Sequence, residues 1–221
     1  MLKFDHPTLV TLTAPTCAGK NFLLDALAEN FGFSRIVSTT DRAARMGEIE
    51  GVHYNFISTE KSLAMERDNL FAELVTYNGT RYGVTHVEMA NKVQAGLPPP
   101  IVILEPQGLQ IYKKYCMQQG WQLFSAFINT PEKIRLSRLV QRTTDDICTA
   151  VDSLESDILA ASIAKIIAVN NARLTSVIEN ERMWLHASDW HAIVSGTDIK
   201  EALNTVQLGV ANRKLKNGVY Q

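Results

Sequence analysis

The chain is poor in the residues that would give it a covalent or metallic frame. Its three cysteines, Cys17, Cys116 and Cys148, are odd in number and far apart, which excludes a disulfide framework and any paired-thiol zinc pattern. The five histidines, His6, His53, His86, His186 and His191, show no metal-ligand spacing. This usage predicts a reducing compartment, the cytoplasm. An excess of one charge is also lacking: 22 Lys and Arg against 23 Asp and Glu leave a net charge of −1. No general field for nucleic acid or for an anionic membrane results, so anion recognition has to be local. No apolar run approaches the ~20 residues of a membrane span. Residues 1–7 lack the apolar stretch and cleavage site of a signal peptide. Neither repeats nor low-complexity segments occur. What remains is an ordinary globular balance, 46% hydrophobic and 20% charged, long enough for one α/β domain with insertions.

Short apolar runs at residues 9–12, 101–104, 123–128 and 192–194 predict buried strands. Helical spacing predicts helices over 22–30, 87–95, 108–118 and 131–140, two longer runs between 154 and 182, and another over 199–206. Strands alternating with helices argue a parallel sheet covered on both faces. Pro98-Pro99-Pro100 sets off one of the strands. Trp121, Trp184, Trp190 and Met183 read as packing residues. Residues 38–85 fit the alternation poorly and are rich in Arg, Tyr, Thr and Gly, which suggests an insertion that binds something. Residues 208–221 end the chain as a basic tail around Arg213, Lys214 and Lys216.

The segment Ala14-Pro15-Thr16-Cys17-Ala18-Gly19-Lys20-Asn21-Phe22 lies between the first strand and first helix. A strand, a tight loop and a helix N-terminus together aim main-chain N–H groups and a helix dipole at an anion. Lys20 adds a cation for the β- and γ-phosphates. The pattern is a near miss to G-x-x-x-x-G-K-[ST], with Ala14 for the first Gly and Asn21 for the hydroxyl residue. Further on comes the run from Ser38 through Asp41, Arg42, Arg45, Gly47, Glu48 and Gly51 to Tyr54 and Phe56. Two Arg three apart can both address one phosphate by charge-assisted hydrogen bonds, and a Tyr after a Gly turn can add its hydroxyl.

That run resembles the nucleoside-monophosphate segment of guanylate kinases, S-x-T-T-R-x-x-R-x-G-E-x-x-G-x-x-Y-x-F, departing only at Asp41. Other landmarks follow in family order over about residues 8–206. Phe71-Ala72-Glu73 is similar to the F-x-E whose Glu takes the guanine N1–H and 2-amino groups. Gly79 to Thr85 resembles the G-x-x-Y-G-[ST] turn, with Tyr82 toward the phosphate and Val84 or Thr85 toward the base. Glu105-Pro106-Gln107-Gly108 resembles the strand end D-x-Q-G, with Glu105 near substrate and metal. Arg138, Arg142 and Arg173 fall at the positions of lid arginines.

The resemblance implies a P-loop NTPase-like parallel sheet covered by helices, with a core over 1–37, 87–137 and 174–207. It also implies a nucleoside-monophosphate-binding insertion over 38–86 and a helical lid over 138–173 that contains an acidic insertion. It implies the reaction Mg-ATP + (d)GMP to ADP + (d)GDP, with ATP and Mg²⁺ as cofactors and small nucleotides, not nucleic acid or membrane, as partners of a monomer or homodimer. Lys20, Arg42, Arg138, Arg142 and Arg173 then carry the catalysis, and residues 14–22 bind ATP. Ser38, Arg42, Arg45, Tyr54, Glu73, Tyr82, Val84, Thr85 and Glu105 bind the acceptor, and Asn21 and Glu105 meet the metal. Cys17 replaces a family Gly, at a steric cost if the main chain there needs positive φ. The departures at Asn21 and Cys17 leave open an inactive interaction domain of the same fold. A kinase for another (d)NMP or small phosphorylated acceptor is the other alternative. Asp145, Asp146, Asp152, Glu155 and Asp157, beside the lid arginines, suggest a restraint on them when no nucleotide is bound.

Overall fold

A computed structural model of the chain describes residues 6–44, 47–77, 79–94, 96–179 and 181–211. In chain order they form β1 (Thr8–Thr13), α1 (Lys20–Phe31), β2 (Ser34–Arg35), β3 (Thr39–Thr40), β4 (Asn55–Phe56), α2 (Thr59–Arg67), β5 (Phe71–Tyr77) and β6 (Thr80–Thr85). Then follow α3 (His86–Lys92), β7 (Pro100–Leu104), α4 (Pro106–Gln119), β8 (Gln122–Asn129), α5 (Glu132–Ser153), α6 (Ser156–Glu179), a 3-10 turn (Glu181–His186), β9 (Ala192–Ser195) and α7 (Ile199–Ala211).

The first sheet is parallel in the order β2-β7-β1-β8-β9. Its strands are apolar on both faces because helices cover both, and successive side chains alternate between two cores. Val10 and Leu12 of β1, Ile101 of β7 and Phe124, Ala126 and Ile128 of β8 meet Leu23, Leu24 and Leu27 of α1 and Ala202, Val206 and Val210 of α7. On the opposite face Leu9, Val102, Leu104 and Leu123 meet Met89, Leu109, Tyr112 and Cys116. Register sets the functional edge: Thr13 is opposite Leu104 of β7 and Phe127 of β8. The central strand therefore ends level with β7 and two residues short of β8, and the loop after it opens at the carboxyl edge.

Residues 38–85 form a second sheet, β4-β3-β6-β5, with α2 beside it. Its β5–β6 ladder carries a bulge between Phe71 and Glu73, which resets the facing of Glu73 relative to the strand. α4 packs on β5 as well as on the first sheet, so one helix joins the two.

The helices after β8 differ from the sequence expectation. α5 runs 22 residues, through Ser153, and α6 is one helix of 24 residues rather than two. Residues 142–170 contain neither Pro nor Gly, so nothing breaks the helices before the Leu154-Glu155 turn. Thr143, Thr144, Thr149 and Ser153 turn their hydroxyls back to carbonyls four residues earlier, which satisfies them without interrupting the helix. The acidic insertion is thus a stretch of helical hairpin. Within α6 the window Ile158–Thr175 has a mean hydropathy of 1.2 and is only 6% buried. This corrects the expectation that no apolar run nears spanning length, although Lys165 and Arg173 interrupt the window. Met183, read as a packing residue, is instead 67% exposed. Trp121 and Trp190 do pack against the second core. The basic tail beyond Ala211 lies outside the described residues.

Gly83 is where the second sheet tolerates no side chain. A Cβ there would stand 2.7 Å from the Glu73 carbonyl oxygen and 2.8 Å from the Phe71 ring. Because the nearest obstacle is main chain, it cannot swing away. Gly83→Ala is expected to destabilise the protein by about 1–3 kcal/mol, read as a lower urea midpoint. An unchanged midpoint would contradict this packing.

Candidate active site

The loop from β1 to α1 is shaped by two left-handed residues, Cys17 (φ 59) and Gly19 (φ 101). Glycine takes that conformation freely, whereas Cys17 bears a steric cost of about 1 kcal/mol. Ala14 and Pro15 are buried, and their carbonyls accept hydrogen bonds from Lys20 Nζ at 2.7 and 3.0 Å. The loop thus curls around its own cation. The buried hydroxyl of Thr130 donates to the Ala18 carbonyl at 2.9 Å. Gly196 closes in beside it, so near that a Cβ would stand 2.8 Å from that same carbonyl.

A cleft of about 700 Å³ opens above this loop. Residues 16–22, including exposed Phe22, form its floor, and Ser195, Gly196 and Thr197 close one side. Arg138, Arg142 and Arg173, from α5 and α6, line the other side. Arg138 donates to the carbonyls of Cys17 and Gly196, each at 3.2 Å. Arg173 donates to Asn170 Oδ1 at 2.7 Å, and that buried amide is itself held by the Ile166 carbonyl. Four cationic side chains and, among the described residues, no carboxylate line the cleft. That is the local anion field a chain of net charge −1 requires. Main-chain carbonyls, rather than the nearby acids, hold Arg138.

On the second sheet the Arg42 guanidinium lies over the rings of Tyr54 (5.1 Å) and Phe56 (5.6 Å). It forms a two-pronged pair with Glu48 at 2.7 and 2.9 Å. Burial disfavours its charge, but hydrogen bonds to Glu48 and Tyr82 outweigh this and raise its pKa. Tyr82 meets Tyr54 edge to face at 5.9 Å. Arg42, Tyr54 and Tyr82 are therefore one cluster, with the Glu48 carboxylate in the fork of the arginine. Arg45 lies outside the described residues. Asp41, the departure from the motif, accepts from the main-chain N–H and side chain of Arg81, both at 2.8 Å. The Thr40 hydroxyl donates to the Arg81 carbonyl. The unusual acid therefore has its own arginine.

Glu73 is 7% exposed. Desolvation drives its pKa from the ordinary 4.5 up to about 7; the hydrogen bond from Tyr112 opposes this and the charge of Glu105 adds to it. The Tyr112 hydroxyl stands 3.4 Å from Glu73 Oε2. A Cβ on Gly108 would approach Oε1 to 3.3 Å, so the glycine of the Glu105-Pro106-Gln107-Gly108 run makes room for this carboxyl. Val84 sits opposite Glu73 in the ladder and is 0% exposed, packed within the second core. The Thr85 hydroxyl caps α3 by accepting from Glu88 N. The Ser38 carbonyl accepts from Asn55 N, which joins β3 to β4. Glu105 follows the last residue of β7, at the edge where the phosphate loop begins.

Asn21 lines the cleft, but Arg35 donates to its Oδ1 at 2.8 Å. The oxygen expected to face a metal therefore faces a guanidinium, which does not fit direct ligation of a dication. Among the described residues no group of three His, Cys, Asp or Glu could hold a metal. Glu105, the other residue expected at the metal, is not among those that line this cleft. Arg35, Thr130, Gly196 and Tyr112 were missed in the sequence. They act from β2, the ends of β8 and β9, and α4, and only the Ser195-Gly196-Thr197 turn after an apolar run offered any signal.

Mostly parallel sheet, phosphate loop, second sheet and arginine-bearing helical hairpin together define a P-loop nucleoside-monophosphate kinase. A family model described as guanylate kinase matches residues 6–180. The chain is 32% identical to a guanylate kinase of Chlamydia muridarum over 176 residues, 77% of this chain and 83% of that one. It is 26% identical to one of Shewanella denitrificans over 209 residues, 94% and 88% of the two chains. A crystal structure of guanylate kinase from Anaplasma phagocytophilum has the same fold, with TM-score 0.59 and 21% identity over 98% of this chain and 90% of that one. The chain belongs to the guanylate kinase family.

The raised pKa of Glu73 makes a stability prediction. The folded state holds its proton to about pH 7, whereas an unfolded Glu releases it near 4.5. The unfolded state therefore binds fewer protons between those values, and stability falls as pH rises through that window. Glu73→Gln is expected to flatten this slope and to be the more stable protein at pH 8, by about 1–3 kcal/mol. Urea denaturation from pH 4.5 to 8 reads it, and parallel curves for the two proteins would contradict the assignment.

Proposed function

We infer that this chain transfers the γ-phosphoryl group of Mg-ATP to GMP or dGMP, giving ADP and (d)GDP, in the cytoplasm. The observation that carries the reading is the pairing of two anion sites on two sheets, with a buried carboxyl behind the second. The cleft at the first sheet supplies amides, Lys20 and arginines for a polyphosphate. The Arg42, Tyr54 and Tyr82 cluster supplies donors for a monophosphate, to which Arg45 adds. Glu73, with Ser38 and Thr85, offers guanine an acceptor for its N1–H and 2-amino donors.

Phosphoryl transfer asks little covalent chemistry of the protein, so positioning and charge neutralisation account for the rate. Lys20 and the loop amides hold the β- and γ-phosphates. Arg42 exchanges Glu48 for the acceptor phosphate and presents its oxygen to the γ-phosphorus. Arg138, Arg142 and Arg173 neutralise charge on the group in transit. Mg²⁺, bound with ATP, shields the phosphates and orients them. Residues 138–173 act as a lid over the core of 1–37, 87–137 and 174–207, and closure keeps water from the γ-phosphate. Residues 38–86 carry the acceptor.

A coupled ADP-release assay across the (d)NMPs tests the reading. Turnover is expected with GMP or dGMP, and Lys20→Ala is expected to lower kcat by about 10²–10³. A folded wild type with no turnover on any NMP would favour an interaction domain instead.

The pH dependence of substrate binding follows from Glu73. Guanine donates two hydrogen bonds, so it requires the ionised carboxylate, and binding releases the proton held to about pH 7. The KM for GMP is therefore expected to fall as pH rises from 6 to 8, while ATP affinity changes little. Equal pH profiles for both substrates would remove Glu73 from base recognition.

A further inference from the structure

Asn21 occupies the position after the phosphate-loop lysine, where the motif has a hydroxyl. Its side chain lines the cleft, yet its oxygen is engaged: Arg35 Nη2 donates to Oδ1 at 2.8 Å. A guanidinium has donors and no acceptor, so the amide must turn its oxygen toward Arg35. The amide nitrogen, with two donors, is then left on the other branch of the same planar group. A Ser or Thr at this position would offer a metal an oxygen. This residue, held by Arg35, offers anions N–H donors and has a fixed positive charge behind it. Arg35 is placed to do so by β2, where its Cα pairs with Ile101 of β7, beside the central strand.

We propose that Arg35 is a positioning residue that converts Asn21 from a metal ligand into a phosphate donor, so that part of the polyphosphate charge is neutralised by the protein rather than by Mg²⁺. This rests on the kinase reading only in that the cleft takes ATP. The coupling has a direction. Removing Arg35 frees the Asn21 oxygen for the metal and lets the amide turn, while Asn21→Ser restores an oxygen and leaves Arg35 without its acceptor. Both changes raise the dependence of ATP binding on Mg²⁺. Asn21→Asp acts in the same direction by placing a negative charge beside the phosphates.

The test is calorimetric titration of ATP into the whole protein without GMP, once in EDTA and once in excess Mg²⁺, for wild type, Arg35→Met, Arg35→Lys, Asn21→Ser and Asn21→Asp. The readout is the ratio of the two Kd values, which a general loss of structure does not move in one direction. Wild type is expected to bind metal-free ATP about 3–10-fold more tightly than Arg35→Met or Asn21→Ser. The tightening by Mg²⁺ should be correspondingly larger in those variants, with Arg35→Lys between them and wild type. The same ratio in all five proteins would overturn the role of Arg35 and leave the kinase reading intact. No ATP binding by wild type in either condition would overturn both. Should Arg35→Met fail to fold, the two Asn21 variants carry the same comparison.

Discussion

The hydrogen bond from the Thr130 hydroxyl to the Ala18 carbonyl ties the loop after β1 to the end of β8. Thr130 is 4% exposed, just past β8, and Ala18 lies between the two left-handed residues of the loop. An unpaired carbonyl at this depth costs about 1–3 kcal/mol, so the bond both satisfies the loop and fixes its height over the sheet. Gly196 enters the same corner from the end of β9 and donates its N–H to the Asn129 carbonyl. Three strand ends thus converge on one bend. Arg138 then uses two carbonyls from this corner, those of Cys17 and Gly196, to dock α5 against it.

Three of the four cations of the cleft have uncharged oxygens among their partners. Lys20 leans on two carbonyls, Arg138 on two more, and Arg173 on an amide. Neutral acceptors orient cations without cancelling their field, so an incoming polyphosphate exchanges weak contacts for strong ones. The second sheet works differently. There Arg42 is paired with a true anion, Glu48, and a ligand must displace a carboxylate. An anion arriving at the second sheet therefore competes with the Glu48 carboxylate for Arg42.

Much of the fold was legible because β1, β7 and β8 are short apolar runs between amphipathic helices. The phosphate loop was legible for a similar local reason, since Gly-Lys at a strand-to-helix turn has one common use. The helical hairpin of α5 and α6 was harder to read. Helical spacing ended the first of these helices at 140 and left residues 145–157 as an acidic insertion, whereas the lack of Gly and Pro and the back-bonded hydroxyls carry the helix on to Ser153. Val84 illustrates a different limit. Its place in the motif pointed to the base, but a strand position opposite Glu73 and under α3 also serves the core, and an apolar side chain packs there. Arg35 was illegible from spacing, because its contact with Asn21 is made between a strand and a helix that only the folded sheet brings together.

The proposed function requires two nucleotide sites on one chain, an ATP cleft on the first sheet and a guanine-nucleotide site on the second. Its most direct test is calorimetry with a bisubstrate compound in which adenosine and guanosine are joined through a chain of five phosphates. The account predicts one molecule bound per chain, displaced by ATP and by GMP separately, with affinity reduced by Lys20→Ala and by Glu73→Gln. Displacement by ATP alone, with Glu73→Gln binding as wild type does, would contradict it.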